Sequence, residues 1–236
     1  MSTARSRRLA AIAAMVTVTD SMADIGTDHA YIPVFLTGNG RVGHALAMDI
    51  NEGPLEGARS NIRQAGLEEK VECRLSDGMQ ALLQGEVSGC VIAGMGGDLT
   101  LRILQAYPEK TASLKELVLS PQSEVARVRR WLRLNSWLIE DEEMVLEDGK
   151  FYTVIRAILR DHLPKEEGYI LEDFYGPVLL QKKHPVLDAY LTRELKIQQQ
   201  ILSGLAGACG EDARRRREEV LAVCARNEEA GRLIRV

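Results

Sequence analysis

The sequence predicts an α/β protein in which a mainly parallel sheet of seven strands is followed by an antiparallel helical hairpin. Strand-like and helix-like segments alternate up to residue 135, at the spacing of βαβ units. Residues 137–160 then carry two apolar strand patterns around a Glu-Asp-Gly-Lys turn, which is typical of a β-hairpin. Beyond residue 163, leucines recur at helical spacing, which indicates a pair of helices.

The first half of the sheet region divides clearly into elements. Residues 5–16 are predicted as an amphipathic helix rather than a signal peptide, because polar residues follow the short apolar run without a clean cleavage site. The next predicted elements are a strand at 21–26, a helix beginning near Pro33, a strand at 42–50, and a helix at 53–66 that Gly66 ends.

The second half continues the alternation. Its predicted elements are a strand at 70–77, a short helix at 79–84, a strand at 89–97, a helix at 98–107 with Asp98 as N-cap, a strand at 115–122, and a helix at 123–135 capped by Ser123. Five parallel strands are thus followed by an antiparallel pair. This order matches the class I methyltransferase (Rossmann-like) variant of the doubly wound sheet better than the dinucleotide-binding variant, which ends in parallel strands.

A change in composition near Leu163 predicts two domains, 1–162 and 163–236. In the second, one helix carries Leu187, Leu191, Leu195, Leu202 and Leu205 at spacings of three or four. The other presents Val220, Cys224 or Val223, and Leu233 on one side, with Gly204, Gly207 and Gly210 between the helices. We therefore expect an antiparallel, coiled-coil-like hairpin.

Bulk composition excludes some classes of protein. No stretch of the chain is long and apolar enough to span a bilayer, so we expect a soluble, cytoplasmic protein without a membrane partner. The four cysteines form no C-x-x-C pair, which favours buried free thiols in a reducing compartment and argues against a metal site. The net charge of −4 does not indicate nucleic-acid binding, but a local basic patch is enough to bind phosphates.

The segment MADIGTDHAYIP (22–33) is the first candidate for a ligand site. In open α/β sheets, ligands bind outside the carboxyl ends of the strands, where Asp24 and Gly26 are expected. A single glycine argues against a pyrophosphate, whereas Asp24 suits a cofactor with a cationic amino group, such as S-adenosylmethionine. Taken alone, this motif favours the interpretation that the aspartate only ties down a turn.

Two further aspartates strengthen the functional interpretation. Asp49 ends the second strand, where an acid commonly binds ribose hydroxyls. Asp77 ends the third strand in Ser-Asp-Gly, where a carboxylate can accept from an adenine amino group. Acids at three successive strand ends are more often functional than incidental.

Several residues could contact the group that receives the methyl, and each also has a purely structural interpretation. Asp28 could act as general base or only position an amine. His29 could hydrogen-bond to Asp28, act as a general base, or be a helix-start histidine bonded to nearby backbone. Tyr31 could stack on a nucleobase or pack in the core. The run IAGMGG (92–97) could hold a flat base or could be a packing turn.

Basic clusters are the candidates for RNA contact. We favour RNA contact for Arg127, Arg129, Arg130 and Arg133 on the predicted helix 123–135, near Trp131 and Trp137. For the run Arg214–Arg217 we favour a solvated face paired with the adjoining glutamates. Lys182 and Lys183 beside His184 form a smaller cluster.

The combination of ADIGTDHAYIP, MDINEGPLEGARSNI, IAGMGGDL, LSPQSE, VRRWL and LEDGKFYTVI resembles the bacterial tRNA (adenine-22-N1)-methyltransferase family. The resemblance covers roughly residues 5–160 and continues more loosely into the hairpin. It implies transfer of a methyl group from S-adenosylmethionine to N1 of an adenine in the D-arm region of tRNA, with the C-terminal hairpin as an expected tRNA-binding element.

The resemblance also implies roles for individual residues. Asp28 matches the family aspartate proposed to act on the target base. Cofactor-binding positions are Asp24, Ile25, Gly26, Asp49, Ile50, Asp77, Gly78, Ala93 and Gly94. Substrate-binding positions are His29, Tyr31, Met95, Gly96, Gly97, Arg127 and Arg130.

Other functions remain as alternatives. A methyltransferase acting on a small molecule would explain the acidic net charge but leaves the hairpin without a role. A non-catalytic RNA-binding protein on the same fold is disfavoured by the intact set Asp24, Asp49 and Asp77. An NAD oxidoreductase is disfavoured by the single glycine at the turn.

Overall fold

The computed structural model describes residues 6–160 and 167–235. Its strands are β1 (Ser21–Ile25), β2 (His44–Asp49), β3 (Val71–Leu75), β4 (Gly89–Ala93), β5 (Glu116–Ser120), β6 (Trp137–Glu147) and β7 (Lys150–Leu159). They form one sheet in the order β3-β2-β1-β4-β5-β7-β6. The first five strands pair in parallel, and β7 pairs antiparallel with both β5 and β6. The predicted seven-stranded class I sheet is confirmed.

Six helices connect and flank these strands within the described part of residues 1–168. They are α1 (Arg7–Met15), α2 (Tyr31–Gly38), α3 (Glu52–Ala65), α4 (Gly97–Ala106), α5 (Pro108–Ser113) and α6 (Val125–Leu134). Gly66 ends α3 in the left-handed conformation at φ 64°, as predicted, because glycine adopts it without a Cβ penalty.

The sheet is buried on both faces, since successive side chains of a strand point to opposite sides. Ala23, Leu46 and Ile92 pack with residues of α4 and α6 on one face. Met22, Ala45 and Val91 pack with residues of α1, α2 and α3 on the other. This two-sided burial explains the nearly continuous apolar runs of the parallel strands.

Local predictions failed at several helix ends. Residues 79–84 form turns rather than a helix, and α5 was not predicted. Gly96 rather than Asp98 is the N-cap of α4, and Asp98 lies in its first turn, where an acid still suits the helix dipole. Glu124 rather than Ser123 is the N-cap of α6.

A β-bulge between Ile139 and Asp141 changes which side of β6 faces the core. Trp137 is buried before the bulge, whereas Glu142 and Met144 are buried after it, because the extra residue shifts the alternation by one. Glu142 therefore enters the interior at 0% side-chain exposure and meets Arg129 of α6, at 2%, with Nε and Oε1 2.7 Å apart. Arg129 is thus a core residue, and its predicted role in RNA contact is wrong.

Residues 169–236 form a second compact unit. Its described part contains α7 (Leu171–Tyr175), α8 (Pro177–Gln181), α9 (Pro185–Gly204) and α10 (Glu211–Arg235). The short helices α7 and α8 occupy part of what the sequence suggested was a linker. The predicted boundary between residues 162 and 163 lies outside the described residues.

The two long helices form the predicted antiparallel hairpin. Arg235 Nε lies 2.6 Å from Asp188 Oδ1, and Asn227 Nδ2 donates to the Leu191 carbonyl at 3.0 Å. Leu187, Leu191, Val220 and Cys224 are buried as expected, but Leu233 is 53% exposed and Ile234 is buried instead. The helical phase was therefore off by one residue near the end of α10.

The four cysteines are free. Cys90 and Cys224 are buried, Cys73 is partly buried and Cys209 is exposed, so the expectation of buried thiols fails at Cys209. No helix among the described residues is long and apolar enough to cross a membrane. The described residues also contain no group of three or more histidine, cysteine or acidic side chains that could hold a metal ion.

We predict that Arg129→Ala destabilises the protein by about 3–5 kcal/mol, because it leaves the Glu142 carboxylate buried without its cation. Urea unfolding measures this change. The matched control is Asp98→Ala, which breaks the exposed pair between Asp98 and Arg127 and should cost less than about 1 kcal/mol. Equal costs for the two variants would contradict the prediction.

Candidate functional site

The carboxyl ends of β1 to β5 meet at one edge of the sheet. In the register of the strands, Ile25 lies beside Met48 and Ile92, Asp49 lies beside Leu75, and Ala93 lies beside Ser120. Strand order reverses between β1 and β4, which is where ligands bind in doubly wound sheets. The structure thus brings the predicted residues of four loops to this edge.

Asp24 is a buried carboxylate beside this switch point. It accepts a hydrogen bond from Thr27 Oγ1 at 2.6 Å. Burial raises the pKa of Asp24 to about 6, the Thr27 hydrogen bond opposes the rise, and the negative charges of Asp28 and Asp49 add to it. No lysine or arginine among the described residues forms an ion pair with Asp24. The site therefore favours a cationic ligand at Asp24.

The turn after β1 is held by backbone geometry. Gly26 has φ 72°, and the amides of Gly26 and Thr27 both donate to the Met48 carbonyl, at 2.8 and 2.9 Å. His29 and Ala30 also have positive φ, at 57° and 54°, which is uncommon for residues with a Cβ. Such strain clusters at functional sites, and here it directs residues 28–31 along the cavity edge.

A cavity of about 370 Å³ lies at this turn, within the size range of small-molecule sites. We call it the Asp24 cavity. Among the predicted residues it is lined by Asp24, Gly26, Asp28, Tyr31, Ala93 and Gly94. Arg8, Leu9, Ile32 and Gln122, which sequence reasoning did not propose, line it too.

A second cavity of about 580 Å³ shares part of this wall. We call it the Tyr152 cavity. The residues common to both cavities are Arg8, Leu9, Asp28, Tyr31 and Gln122. The Tyr152 cavity adds His29 and, outside the predicted set, Ser6, Glu147, Asp148 and Tyr152. Asp28 is thus at the junction of two adjoining spaces.

Asp28 is well placed to interact with a ligand. Its side chain is 83% exposed, and its Oδ1 lies 3.4 Å from Nε2 of His29. The His29 ring lies 5.7 Å from the Tyr31 ring, and its backbone carbonyl accepts from Asn61 Nδ2 at 2.9 Å. A Cβ on Gly57 would collide with the His29 imidazole, so Gly57 leaves room for this ring.

The remaining predicted cofactor residues lie along the same edge but outside both cavities. Ile25 is buried within β1. Asp49 caps its own loop, with Oδ1 accepting from the Asn51 amide at 2.7 Å, and Ile50 beside it is exposed. Asp77 is exposed in the turn after β3, next to Gly78 at φ 55°.

The glycines of residues 94–97 divide into two roles. Gly94, at φ 82°, lines the Asp24 cavity. Gly96 and Gly97 instead allow close packing, because Cβ atoms there would lie 3.0 Å from Ser123 Oγ and 2.6 Å from the Ser123 carbonyl. Met95 fills the space beside Gly26. The packing interpretation therefore accounts for Gly96 and Gly97, which contact a neighbouring loop.

The predicted basic residues of α6 are all engaged with protein groups. Arg127 forms an exposed ion pair with Asp98. Arg130 and Arg133 both donate to the Gly168 carbonyl, at 2.8 and 3.0 Å. Their partly exposed surface remains accessible on one side of α6, unlike the buried Arg129.

Sequence reasoning missed the residues that come from outside the strand-end loops. Arg8 and Leu9 belong to α1, Gln122 follows β5, and Glu147 to Tyr152 belong to the β6–β7 hairpin. The only signals for them were the arginines before the first apolar run and the tyrosine after the Asp-Gly turn. Nothing in the local sequence joins these distant segments.

Comparison with known proteins is consistent with this geometry. A family model described as a methyltransferase domain matches residues 5–155. A Bacillus subtilis protein named tRNA (adenine(22)-N(1))-methyltransferase is 32% identical over 219 residues, which is 92% of each chain.

Two solved structures are similar over nearly the whole chain. The B. subtilis m1A22 tRNA methyltransferase TrmK has a TM-score of 0.84 and 30% identity, covering 96% of this chain and 98% of its own. TrmK of M. capricolum, in complex with the cofactor product S-adenosylhomocysteine, has a TM-score of 0.83 and 25% identity, covering 98% and 99%. Together with the cavity at the switch point and its carboxylates Asp24 and Asp28, these matches show that the chain belongs to the bacterial tRNA (adenine-22-N1)-methyltransferase family.

Proposed function

We propose that this protein transfers a methyl group from S-adenosylmethionine to N1 of adenine 22 in tRNA. The observation that carries the proposal is the buried Asp24 carboxylate beside the cavity at the switch point, in a chain of this family. The alternative is methylation of a small molecule at the same site. The acceptor assay described below separates the two.

The residues present fit S-adenosylmethionine. Asp24, raised in pKa and without a cationic partner among the described residues, suits the ammonium group of the cofactor. Asp49 and the exposed Asp77 suit the ribose hydroxyls and the adenine amino group, and Gly78 follows Asp77 with φ 55°, packed against Ile103. Ala93 and Gly94 line the Asp24 cavity, and Gly26 allows the close turn. Ile25 and Ile50 lie along the same edge of the sheet and are proposed as apolar neighbours of the cofactor.

Asp28 is our candidate for the residue that acts on the target base. S-adenosylmethionine, when bound, supplies an electrophilic methyl group. Asp28 lies at the junction of the two cavities. It can accept a hydrogen bond or a proton from the exocyclic amine of adenine, which increases electron density at N1. His29, 3.4 Å away, orients the carboxylate.

The Tyr152 cavity is the proposed acceptor pocket. It is lined by His29, Tyr31 and Tyr152, and aromatic side chains commonly stack on unpaired bases. Met95, Gly96 and Gly97 line neither cavity, and their contacts with Gly26 and the Ser123 loop favour a supporting role in packing. Because N1 of adenine is hidden in a paired or stacked arm, the enzyme must extrude the base.

The body of the tRNA requires further contacts. Arg127 and Arg130 of α6 are the proposed phosphate-binding residues. In the arginine run of α10, Arg215 pairs with Asp212 and Arg216 pairs with Glu219, which agrees with the solvated face favoured from the sequence. The helical hairpin in residues 169–236 is still the expected tRNA-binding element of this family and would carry part of the tRNA affinity. A tRNA substrate also supports the cytoplasmic location expected from the sequence.

The direct test is transfer of radiolabelled methyl from S-adenosylmethionine to unmodified bacterial tRNA, with the product nucleoside identified by mass. We expect 1-methyladenosine that maps to position 22. A tRNA with adenine 22 replaced by guanine is the control and should accept no methyl group. Incorporation elsewhere, or none despite measured cofactor binding, would contradict the proposal.

Asp24→Asn should remove a buried charge while keeping an acceptor for Thr27. A raised folded pKa means that the folded state binds more protons between about pH 4 and 6, so the contribution of Asp24 to stability falls as pH rises through that window. At neutral pH the ionised group costs up to about 3 kcal/mol. We therefore expect Asp24→Asn to raise the ligand-free melting temperature at pH 7.5 and change it little at pH 4.

The same variant should bind S-adenosylhomocysteine at least about 10-fold more weakly at pH 7.5, because the ammonium group loses a charged acceptor. In the wild type, affinity should fall as pH drops below about 6. The variant should lack this pH dependence. Calorimetry measures both effects, and an unchanged affinity in Asp24→Asn would reject the ammonium contact.

Asp28→Ala should keep the affinity for S-adenosylhomocysteine within about 3-fold, since the exposed carboxylate contributes little cofactor contact. Methyl transfer to tRNA should fall by about 100-fold or more, in the range typical of a lost general base. Single-turnover rates measure this step. A large loss of cofactor binding with normal turnover of the bound fraction would contradict the role.

Arg127→Ala should raise the KM for tRNA and lower the salt dependence of tRNA binding, because a phosphate contact releases counterions. Asp98→Ala is the matched control, because it removes the partner of Arg127 and keeps the cation. The same titration with residues 214–217 changed to alanine tests the C-terminal unit. If Asp98→Ala weakens tRNA binding as much as Arg127→Ala, the loss comes from breaking the ion pair and not from a lost phosphate contact, which would contradict the prediction.

A further inference from the structure

Gln122 is the only carboxamide among the described residues that line the Asp24 and Tyr152 cavities. It lies in the loop after β5, and it shares both walls with Asp28 and Arg8. An ionised carboxylate only accepts hydrogen bonds and a guanidinium only donates them, whereas a carboxamide carries a donor and an acceptor side by side in one plane. Gln122 therefore brings this paired chemistry to the place where the two cavities adjoin.

The backbone of Gln122 is held in place, but its side chain is not. The Gln122 amide donates to the Met95 carbonyl at 2.9 Å, and the Gly94 amide donates to the Ser120 carbonyl at 3.3 Å, so the loops after β4 and β5 are joined. The side chain, in contrast, is exposed, and no described residue forms a hydrogen bond with its carboxamide. A polar group with a fixed attachment and no protein partner is available to a ligand in either cavity.

The reaction at N1 of adenine restricts which edge of the base a side chain can bind. N1 lies on the Watson–Crick edge, and the incoming methyl group must approach it, so no side chain can cover this atom. The opposite edge presents the N7 acceptor and one hydrogen of the exocyclic N6 amine. A glutamine matches this edge with two hydrogen bonds, in which Oε1 accepts from N6 and Nε2 donates to N7.

We propose that Gln122 binds the N6 and N7 edge of the target adenine and thereby sets the preference of the site for this base. This inference rests on the proposed function. Asp28 lines the same two cavities and accepts the other hydrogen of N6, on the side of N1. Guanine carries a carbonyl oxygen in place of the N6 amine, so both side chains would meet an acceptor with an acceptor.

A contact with the cofactor is the other assignment for Gln122, since this residue also lines the Asp24 cavity. The Tyr152 cavity favours the base, because Gln122 shares its wall with the aromatic rings of His29, Tyr31 and Tyr152, and such rings commonly stack on unpaired bases. The two assignments differ in what they predict for S-adenosylhomocysteine binding and for changes in the base.

The experiment measures single-turnover methyl transfer by the full chain to two tRNAs, which carry adenosine or 7-deazaadenosine at position 22. The second nucleoside has a C–H group in place of N7 and keeps N1 and the N6 amine. Gln122→Met removes both polar atoms from a side chain of similar length. It should lower the rate with adenosine by about 10- to 100-fold, because the bidentate contact is lost.

The decisive quantity is the ratio of the adenosine rate to the 7-deazaadenosine rate. This ratio should be at least about 5-fold higher in the wild type than in Gln122→Met, because only the wild type donates a hydrogen bond to N7. Any difference in the intrinsic reactivity of the two nucleosides affects both proteins equally and cancels in this comparison. A purely structural effect of the substitution would lower both rates together.

Two further variants provide matched controls. Gln105→Met makes the same change at an exposed position of α4 that lines neither cavity, and it should leave both rates unchanged. Gln122→Glu keeps the acceptor for N6 but loses the donor for N7, so it should lose the dependence on N7 as Gln122→Met does. Calorimetry should give a S-adenosylhomocysteine affinity within about 3-fold of the wild type for both Gln122 variants.

An equal rate ratio in the wild type and Gln122→Met would overturn the proposal, because Gln122 would then make no contact with N7. A loss of S-adenosylhomocysteine affinity as large as the loss of rate would also overturn it and assign Gln122 to the cofactor. If the wild type methylates no adenosine at position 22, the proposed function itself fails. These outcomes keep the failure of the inference distinct from the failure of the function.

Discussion

The burial of the Asp24 carboxylate at the edge of the sheet is the constraint around which the site is arranged. A charge in this position is unfavourable, and burial raises its pKa to about 6. The neighbouring charges of Asp28 and Asp49 increase the cost rather than relieve it. A bound cationic ligand would offset this cost, because it would interact favourably with the buried carboxylate.

The rest of the sheet serves to hold this carboxylate in place. Both faces of β1 are buried, with Ala23 and Met22 packed in separate clusters. The amides that follow Asp24 bond to the Met48 carbonyl, so the turn cannot move independently of β2. This rigidity suits a site that must discriminate charge, because preorganised groups do not reorganise when the ligand binds.

The two ends of the unit formed by residues 1–168 meet at the site. The first helix and the final hairpin are joined through Glu147, Arg8 and Tyr152. The β-bulge in β6 shifts the alternation and brings Glu142 to the buried Arg129. The hairpin that borders the Tyr152 cavity is therefore also anchored by an interior ion pair whose two residues line neither cavity.

The sequence alone determined the order of the seven strands along the chain, the antiparallel pair, and the aspartates at successive strand ends, because these depend on local periodicity and turn chemistry. Only the tertiary structure decided that Arg129 is buried, that Gly96 and Gly97 serve packing, and that Arg8 lines the site. Each depends on segments far apart in the chain: a bulge that shifts a strand by one residue, a loop pressed against another, and a helix attached to a distant hairpin. Such contacts cannot be predicted from local sequence patterns, since the same arginine or glycine is equally compatible with an exposed surface.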